Sequence, residues 1–365
     1  MCLVYVEAIV TVDHTLIKKN HVSVDCSNVH VTGAAGIHFS GCSLPMACSI
    51  RHRIDQKALS TQSEIQLRNF KWSDTSALSG LLGDVGTHGH RQWPEGVEGL
   101  RFELEYPRVQ PQQNLILADA AGELVGYAIV EPEQNIERSV VGVATAAKKH
   151  GEGLAGRLLD WTTERAAEFA PVAHLATREH ERDLGEFVES IGWRRVRKYL
   201  KLECRPGSSR AAAVIPSGFT LREMMGLDEL TELTNLQNQS FSAHFGYSPN
   251  TDSEIKARLL APGSGFDDVL LIRDADDLLV AYCWTQTGEH AGPSFGRIGM
   301  TGVLPGAQGH GLGRAVAEAG FNHLLQRGVE VIELDVDSTN APAIKIYTSL
   351  GFVTVSEVDW WEKSL

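Results

Sequence analysis

Apolar and polar residues alternate in EIQLRNF (64–70), the two-residue period of a strand with one buried face, and Ser73-Asp74 then supplies a helix-start signal. NLILADAAGELVGYAIV (114–130) is two apolar runs about an Ala-Gly turn, the pattern of a hairpin, and IERSVVGVA (136–144) is a further strand. Over GLAGRLLDWTTERAAEF (153–169) the period lengthens to that of an amphipathic helix; a strand, APVAHLAT, and a helix, ERDLGEFVESIG, come after it. The same succession then recurs. GFTLREM reads as a strand, LDELTELTNLQNQSF as a helix, DVLLIRDADDLLVAYCWTQT as a hairpin turning near Asp276-Asp277, and FGRIGMTGV as a strand. A helix over 312–327 stops at Gly328, a residue suited to a helix C-terminus, and VEVIELDV, APAIKIYTSLG and FVTVSEVDWW give strand, helix and closing strand. Each half is thus predicted as β-α-α-β-β-β-α-β-α-β. The fold class is α/β, two tandem units, each a mixed central sheet with helices on both faces.

Between the halves, RPGSSRAAAVIPSG (205–218) has the Gly, Ser and Pro of a boundary. The expected division is an N-terminal extension at 1–62, a first unit at 63–204, a linker at 205–217 and a second unit at 218–365. The extension shows no sustained period and holds Cys2, Cys26, Cys42 and Cys48, four of the six cysteines. Its start carries Glu7 and Asp13 and lacks the basic segment of a secretory signal. Cys26, His30, His38 and Cys42 include no CxxC pair, so 1–62 reads as a disordered or misassigned start, and no metal is expected. Cys204 and Cys283 are too few for a disulfide framework, which points to a reducing cytoplasm. At 365 residues, with 43% hydrophobic and 22% charged content, the chain can bury a core, and it has no apolar run of membrane-spanning length. A formal net charge of −13 argues against a nucleic-acid partner.

The candidate chemistry lies in GVLPGAQGHGLGRA (302–315), where Gly309, Gly311 and Gly313 precede a helix. The first N–H groups of a helix have no partner within it and favour negative charge, so a phosphate is the natural occupant. A P-loop needs GK[ST], which Gly313-Arg314-Ala315 does not supply. A dinucleotide fingerprint needs a third glycine where Arg314 stands, although Glu333 and Asp335 follow at about the required 20 residues.

More residues than the glycines carry the third reading. Val303-x-Pro305-x-x-Gln308-x-x-Gly311-x-Gly313 before a helix resembles the acetyl-CoA diphosphate loop of the GNAT superfamily of N-acetyltransferases. Ser338-Thr339-Asn340-x-x-Ala343 and Tyr347-x-x-x-Gly351-Phe352 are similar to that family's second signature, and the resemblance covers most of 63–365. It implies direct acetyl transfer from acetyl-CoA to an amine, expected to be a small molecule, without a covalent enzyme intermediate. It implies a coenzyme site of Thr301, Gly302, Val303, Gln308, Gly309, His310, Gly311, Leu312, Gly313, Arg314, Asn340 and Ala343. A backbone N–H near Thr301 or Val303 would face the developing oxyanion, and Tyr347 would protonate the leaving thiolate. The base is left open among His244, Glu289, His290, Glu333, Asp335, Asp337 and a water relay.

A weaker copy in the first half, Val143-x-Thr145-x-x-Lys148-x-x-Gly151-x-Gly153, has Val188 in the place of Tyr347 and Glu181 in that of Asn340, so chemistry is assigned to the second half. Within the superfamily, the tandem arrangement with Cys283-Trp284-Thr285-Gln286 and GRIGMTGVLPGAQGHGLGR resembles the mycothiol synthase family. That family has a lysine, a carboxylate and a tyrosine where this chain has Gln286, Arg297 and Asp335. Those three and His244 are the candidate acceptor contacts; the architecture carries over from that family, and the acceptor amine is left open. Two rival readings remain, a non-catalytic acyl-CoA-binding sensor in which Tyr347 is structural, and a protein N-acetyltransferase. The internal duplication is compatible with a monomer.

Overall fold

Twelve strands hydrogen-bond into one sheet, in the order β1-β2-β3-β4-β5-β12-β6-β11-β10-β9-β8-β7. The structure, a computed structural model, describes residues 65–365 apart from 86–92, 95, 148–152, 208–211, 262 and 289–293. The expected extension at 1–62 lies outside them, as do Glu289 and His290. The described residues fall within one unit, Ser60–Leu365. The first half supplies β1 (Ile65–Asn69), α1 (Thr75–Val85), α2 (Gly96–Leu104), the short α3 (Pro111–Asn114), β2 (Leu115–Ala120), β3 (Glu123–Glu133), β4 (Arg138–Thr145), α4 (Leu154–Ala167), β5 (Val172–Arg178), α5 (Arg182–Ser190) and β6 (Arg194–Cys204). The second supplies β7 (Thr220–Glu223), α6 (Leu230–Phe241), α7 (Asp252–Leu259), β8 (Val269–Arg273), β9 (Leu279–Gly288), β10 (Phe295–Val303), α8 (Leu312–Gln326), β11 (Val331–Asp337), α9 (Ala341–Ser349) and β12 (Val353–Ser364).

This succession follows the apolar pattern. The predicted hairpin turns are present: Ala121 and Gly122 carry φ of 55° and 91°, and Asp277 carries 63°. In the second hairpin the Asp274 carboxylate accepts from the N–H groups of Asp276 and Leu278 at 3.0 and 2.9 Å, the local bonding that suits Asp to turns. What the pattern does not contain is the partner of each closing strand. β12, the last strand of the second half, pairs with β5 of the first, while β6, the last of the first half, pairs with β11 of the second. β6 and β12 then pair with each other at the centre.

The cores record this exchange. Buried Trp361 of β12 packs in the cluster of Leu158, Leu175 and Val188 from the first half. Its indole N–H donates to Thr177 Oγ1 at 2.8 Å. Leu202 and Cys204 of β6 pack instead with Phe321, Ile332 and Phe352 of the second half. Each half also has a second apolar cluster, around Leu100 and Tyr127 in the first and around Leu233 and Tyr282 in the second. Among the described residues, no helix is long and apolar enough to cross a membrane.

Candidate active site

β10 pairs with antiparallel β9 over its length but with parallel β11 only at Phe295–Arg297. A bulge at the Ile298–Met300 step shifts the β9 register there, and bulges bend the strand that carries them. Beyond it β10 and β11 diverge, so the edge from Met300 to Val303 has no ladder partner on its β11 side. The strand then turns through Pro305–Ala307 to α8, whose N-cap is Gly311 at φ 80°. Gly309 stands at φ 86°. A methyl group at Gly309 would meet nothing within 4 Å, and one at Gly311 only Pro216, at 3.9 Å. The Gly311 carbonyl accepts from Ala315 N at 3.0 Å, while the N–H groups of Leu312, Gly313 and Arg314 have no acceptor inside the helix. An open helix N-terminus beside an unpaired strand edge fits a diphosphate followed by an amide-bearing arm.

Both features border a cavity of about 960 Å³. Its walls include Thr301, Gly302, Val303, Gln308, Gly309, Gly311, Leu312, Gly313, Arg314, Asn340, Ala343, Tyr347, His244 and Asp335. His310 is outside this lining; its Nδ1 lies 3.2 Å from the Ala307 carbonyl, within the loop itself. Arg314 pairs with Glu318 one turn on, at 2.7 Å. Asn340 caps α9, its Oδ1 accepting from Ala343 N at 3.2 Å. Gly302 answers to protein neighbours: a methyl group there would lie 2.5 Å from Tyr282 Cε1 and 2.9 Å from Ser240 Cβ on α6.

Tyr347 is buried on α9, its ring meeting that of Phe352 in an edge-to-face pair with centroids 5.8 Å apart. Burial pushes its pKa up to about 12, against a smaller opposing effect of a hydrogen bond with Thr301. The phenol is therefore a neutral proton donor at physiological pH. Cys283, beneath Thr301 with Sγ 3.7 Å from its hydroxyl, is likewise pushed up to about 12 by burial and stays an inert thiol.

The three alternating carboxylates of β11 are tied up by basic residues. Glu333 pairs with Lys201 of β6 at 2.6 Å and with Arg297 of β10 at 3.1 Å. Asp335 pairs with Arg297. Asp337 accepts from Arg197 Nε at 2.7 Å and from the Thr339 N–H and hydroxyl at 2.9 Å. Burial opposes its charge, but those three donors hold it below the usual carboxylate range. His244, in the loop after α6, is exposed at the cavity wall. Desolvation by its surroundings and the charge of Arg197 hold its pKa below the usual value, against the opposing Asp337, so the ring is neutral near pH 7. Gln286 and Arg297 border a neighbouring cavity of about 470 Å³, which shares Gly299, Met300, Arg108, Glu133 and Arg258 with the first.

Several wall residues carry no signal in the linear sequence. Arg108 of the first half grips α7 by its pair with Glu254, and the loop before it by donating to Ser248 Oγ at 2.9 Å and the Pro249 carbonyl at 2.6 Å. Arg138 pairs with Glu133 and donates to the Gly246 carbonyl at 2.8 Å. Ser240 Oγ is buried with no hydrogen-bond partner among the described residues. The first half repeats the helix start: α4 is capped by Gly153 at φ 74°. Gly153 therefore holds the place of Gly311, two residues away from the pairing of Gly151 with Gly311 suggested by the spacing. At the second signature the correspondence follows the sequence reading. Glu181 and Asn340 are both N-caps, and Trp193 N bonds Val188 O at 3.0 Å as Phe352 N bonds Tyr347 O at 3.1 Å.

The profile of the Acetyltransferase (GNAT) family matches residues 230–352. A mycothiol acetyltransferase of Beutenbergia cavernae is 32% identical over 278 residues, 72% of this chain and 88% of that protein. One from Paenarthrobacter aurescens is 31% identical over 237 residues, 64% of this chain and 72% of the relative. Two solved structures share the fold over 82% of this chain. A GCN5-related N-acetyltransferase from Sphaerobacter thermophilus has a TM-score of 0.64 at 22% identity with 95% of its chain covered. A tandem GNAT protein from the clavulanic acid biosynthesis pathway has 0.65 at 15% with 98% covered. With its open helix start, divergent strands and buried phenol, the chain belongs to the GNAT acetyltransferase family and is an acyltransferase.

Proposed function

We propose that the protein transfers the acetyl group of acetyl-CoA directly to the amine of a small molecule, with the chemistry in the second unit, 218–365. In this reading 63–204 is a degenerate unit that shapes the acceptor site, 205–217 a linker and 1–62 an extension. The observation that carries it is the neutral phenol of Tyr347 in the same cavity as the Gly311-capped helix start, while the corresponding residue of the first half is Val188. The N–H groups of Leu312, Gly313 and Arg314, with the Arg314 guanidinium, hold the diphosphate. The unpaired Met300–Val303 edge holds the amide arm. Acetyl-CoA supplies an acyl thioester, whose departing sulfur needs a proton. Tyr347 gives that proton, the Thr301 or Val303 N–H stabilises the oxyanion, and neutral His244 takes the proton of the acceptor amine directly or through water.

The name of the relatives, mycothiol acetyltransferase, supports a small acceptor. Gln286, Arg297 and Asp335 support one chemically different from theirs, because Arg297 offers donors only and is already engaged by Glu333 and Asp335. Cys283 is a buried thiol, and too few cysteines are described to make a disulfide framework, which supports a cytoplasmic setting. The test is thiol release from acetyl-CoA with a panel of amines. Tyr347→Phe is expected to lower kcat by about 10²–10⁴-fold with CoA affinity retained. Unchanged kcat would remove the acid role, and CoA binding with no transfer to any amine would favour the sensor reading.

A further inference from the structure

A side pocket of about 250 Å³ opens off the main cavity where the exchanged strands cross, sharing Tyr199, Phe245, Gly246 and Asp335 with it. Its remaining walls are Arg138, Arg178, Val358 and Trp360. The arginines around the combined cavities are nearly all committed. Arg108 is held by Glu254, Arg138 by Glu133, Arg197 by Asp337, and Arg297 by Glu333 and Asp335. Arg258 rests over the Tyr106 ring, 5.7 Å from its centroid. Arg178, at the end of β5 opposite Val358 of β12, has neither arrangement. Among the described residues its guanidinium has no ion pair and no hydrogen bond, and its Nε is buried without a partner.

We propose that Arg178, with Arg138 and the Tyr199 phenol beside it, is the subsite for an anionic group on the acceptor, so that the substrate is a molecule with an amine at one end and a carboxylate or phosphonate-type anion at the other. This rests on the reading of the site as an amine acetyltransferase. The chemistry of the pocket matches such a group. A guanidinium presents a planar fork of donors that fits two oxygens of one anion. Asp335 also borders the pocket, but Arg297 pairs with it, and Arg138 is balanced by Glu133, while the nearby Glu181 carboxylate accepts from the Arg178 backbone N–H at 2.8 Å, so the Arg178 guanidinium is left without a salt bridge. Phe245 and Trp360, ring centroids 6.5 Å apart, give apolar walls that limit solvent screening. Burial, with a smaller contribution from Arg297, pulls the Arg178 pKa down against Asp335, Glu181 and Glu333 nearby, so the cation would gain from a counter-charge in direct contact with it. A bound anion would supply that charge. The pocket also joins the main cavity through Tyr199 and Phe245, so one extended molecule can occupy both.

The experiment compares ω-amino carboxylates of three to six carbons, and aminoalkyl phosphonates, with alkylamines of the same length, in the full-length protein. Acetylation is read as thiol release, and binding to the CoA-loaded protein is read by calorimetry. At the best chain length the anionic compounds are expected to show at least tenfold higher kcat/KM, or tenfold tighter binding, than the matched alkylamine. Whichever anion shows the larger ratio identifies the group. Arg178→Met is expected to bring the ratio within twofold while CoA affinity and the melting temperature hold, and Arg178→Lys to keep part of it. Equal handling of the two series by the native protein overturns the proposal, and so does a ratio that survives Arg178→Met. Binding of neither series to a protein that still binds CoA also overturns it. Failure of all acetyl transfer alongside tight anion binding would instead strike the catalytic reading and leave the subsite standing.

Discussion

Tyr347 and His244 occupy one cavity and are shifted in opposite directions, each by desolvation of its charged form. The phenol is pushed up to about 12 and keeps its proton; the imidazole is held below its ordinary value and sheds it. A donor to sulfur and an acceptor from nitrogen therefore coexist at neutral pH. Measured as kcat at saturation in both substrates, activity is expected to rise with pH through an apparent value below 6.5, as His244 becomes neutral. It should then stay level to pH 10, because Tyr347 has not begun to ionise. His244→Gln should abolish the acidic limb. An alkaline limb below pH 10 that disappears in Tyr347→Phe would show that the phenol ionises in its ordinary range and that its burial does not hold the proton. The spacing of Tyr347 to Gly351-Phe352 was legible in the sequence, since it repeats a signature. Its shifted pKa was not, because that comes from burial of the ring by residues distant in sequence, among them Phe321 of a different helix, which meets Phe352 edge to face beside Tyr347. Arg178 was invisible for a related reason: a lone arginine at a strand end acquires meaning only from the pairing it lacks.

Glycines on β10 and α8 show how one residue type meets two different physical demands. The resemblance places Gly302 and Gly311 together in the coenzyme site, Gly311 at a helix start open to phosphate. The structure separates them. Gly302 is required by Tyr282 and Ser240, which press α6 and β9 against β10. Gly302→Ala is therefore expected to overpack this junction and cost about 1–3 kcal/mol, read as a lower melting temperature in the absence of any ligand. Gly311 faces nearly open space but sits at φ 80°, so a side chain there is strained without being crowded. Gly311→Asn tolerates that conformation and adds no charge, whereas Gly311→Asp sets a carboxylate at the positive end of α8 where the diphosphate belongs. CoA affinity by calorimetry should fall at least tenfold further in the Asp variant than in the Asn variant. Equal losses would mean that strain alone acts and that the helix start does not hold phosphate. Periodicity located both elements, but a two-residue or 3.6-residue pattern names a face, not the neighbour on it.

At the scale of the whole molecule, the exchange of closing strands decides how far the halves are separable. β6 and β12 both read as closing strands, and nothing in their apolar pattern says which fifth strand each will join. The pairing is fixed instead by contacts distant in sequence. Trp361 fits against Gly185 in the first half's core, the extra atoms of any other residue there meeting its ring at 3.2 Å. Lys201 and Arg197 on β6 meet Glu333 and Asp337 on β11. Arg108 and Arg138 clamp the loops around Gly246 and Pro249 from the opposite half. Ending the chain after Phe352 removes β12 and with it a neighbour of both β5 and β6, leaving two buried strands with open edges at the centre of the sheet. Both halves should fail together, giving a chain that aggregates or lacks fixed tertiary structure even though 65–204 is intact in sequence. The full-length protein should correspondingly melt in one calorimetric transition whose van't Hoff and calorimetric enthalpies agree. Fragments 65–211 and 212–365 should copurify when expressed together and be insoluble apart, since each lacks the strand the other holds. Two resolved transitions, or a fragment that folds alone with native melting, would show that the strands return to their own halves and that the central pairing contributes little to stability. The site depends on the same joint: β6, which brings Arg197 and Tyr199 to the cavity wall, is in place only while β12 separates it from β5 and β11 binds its other edge.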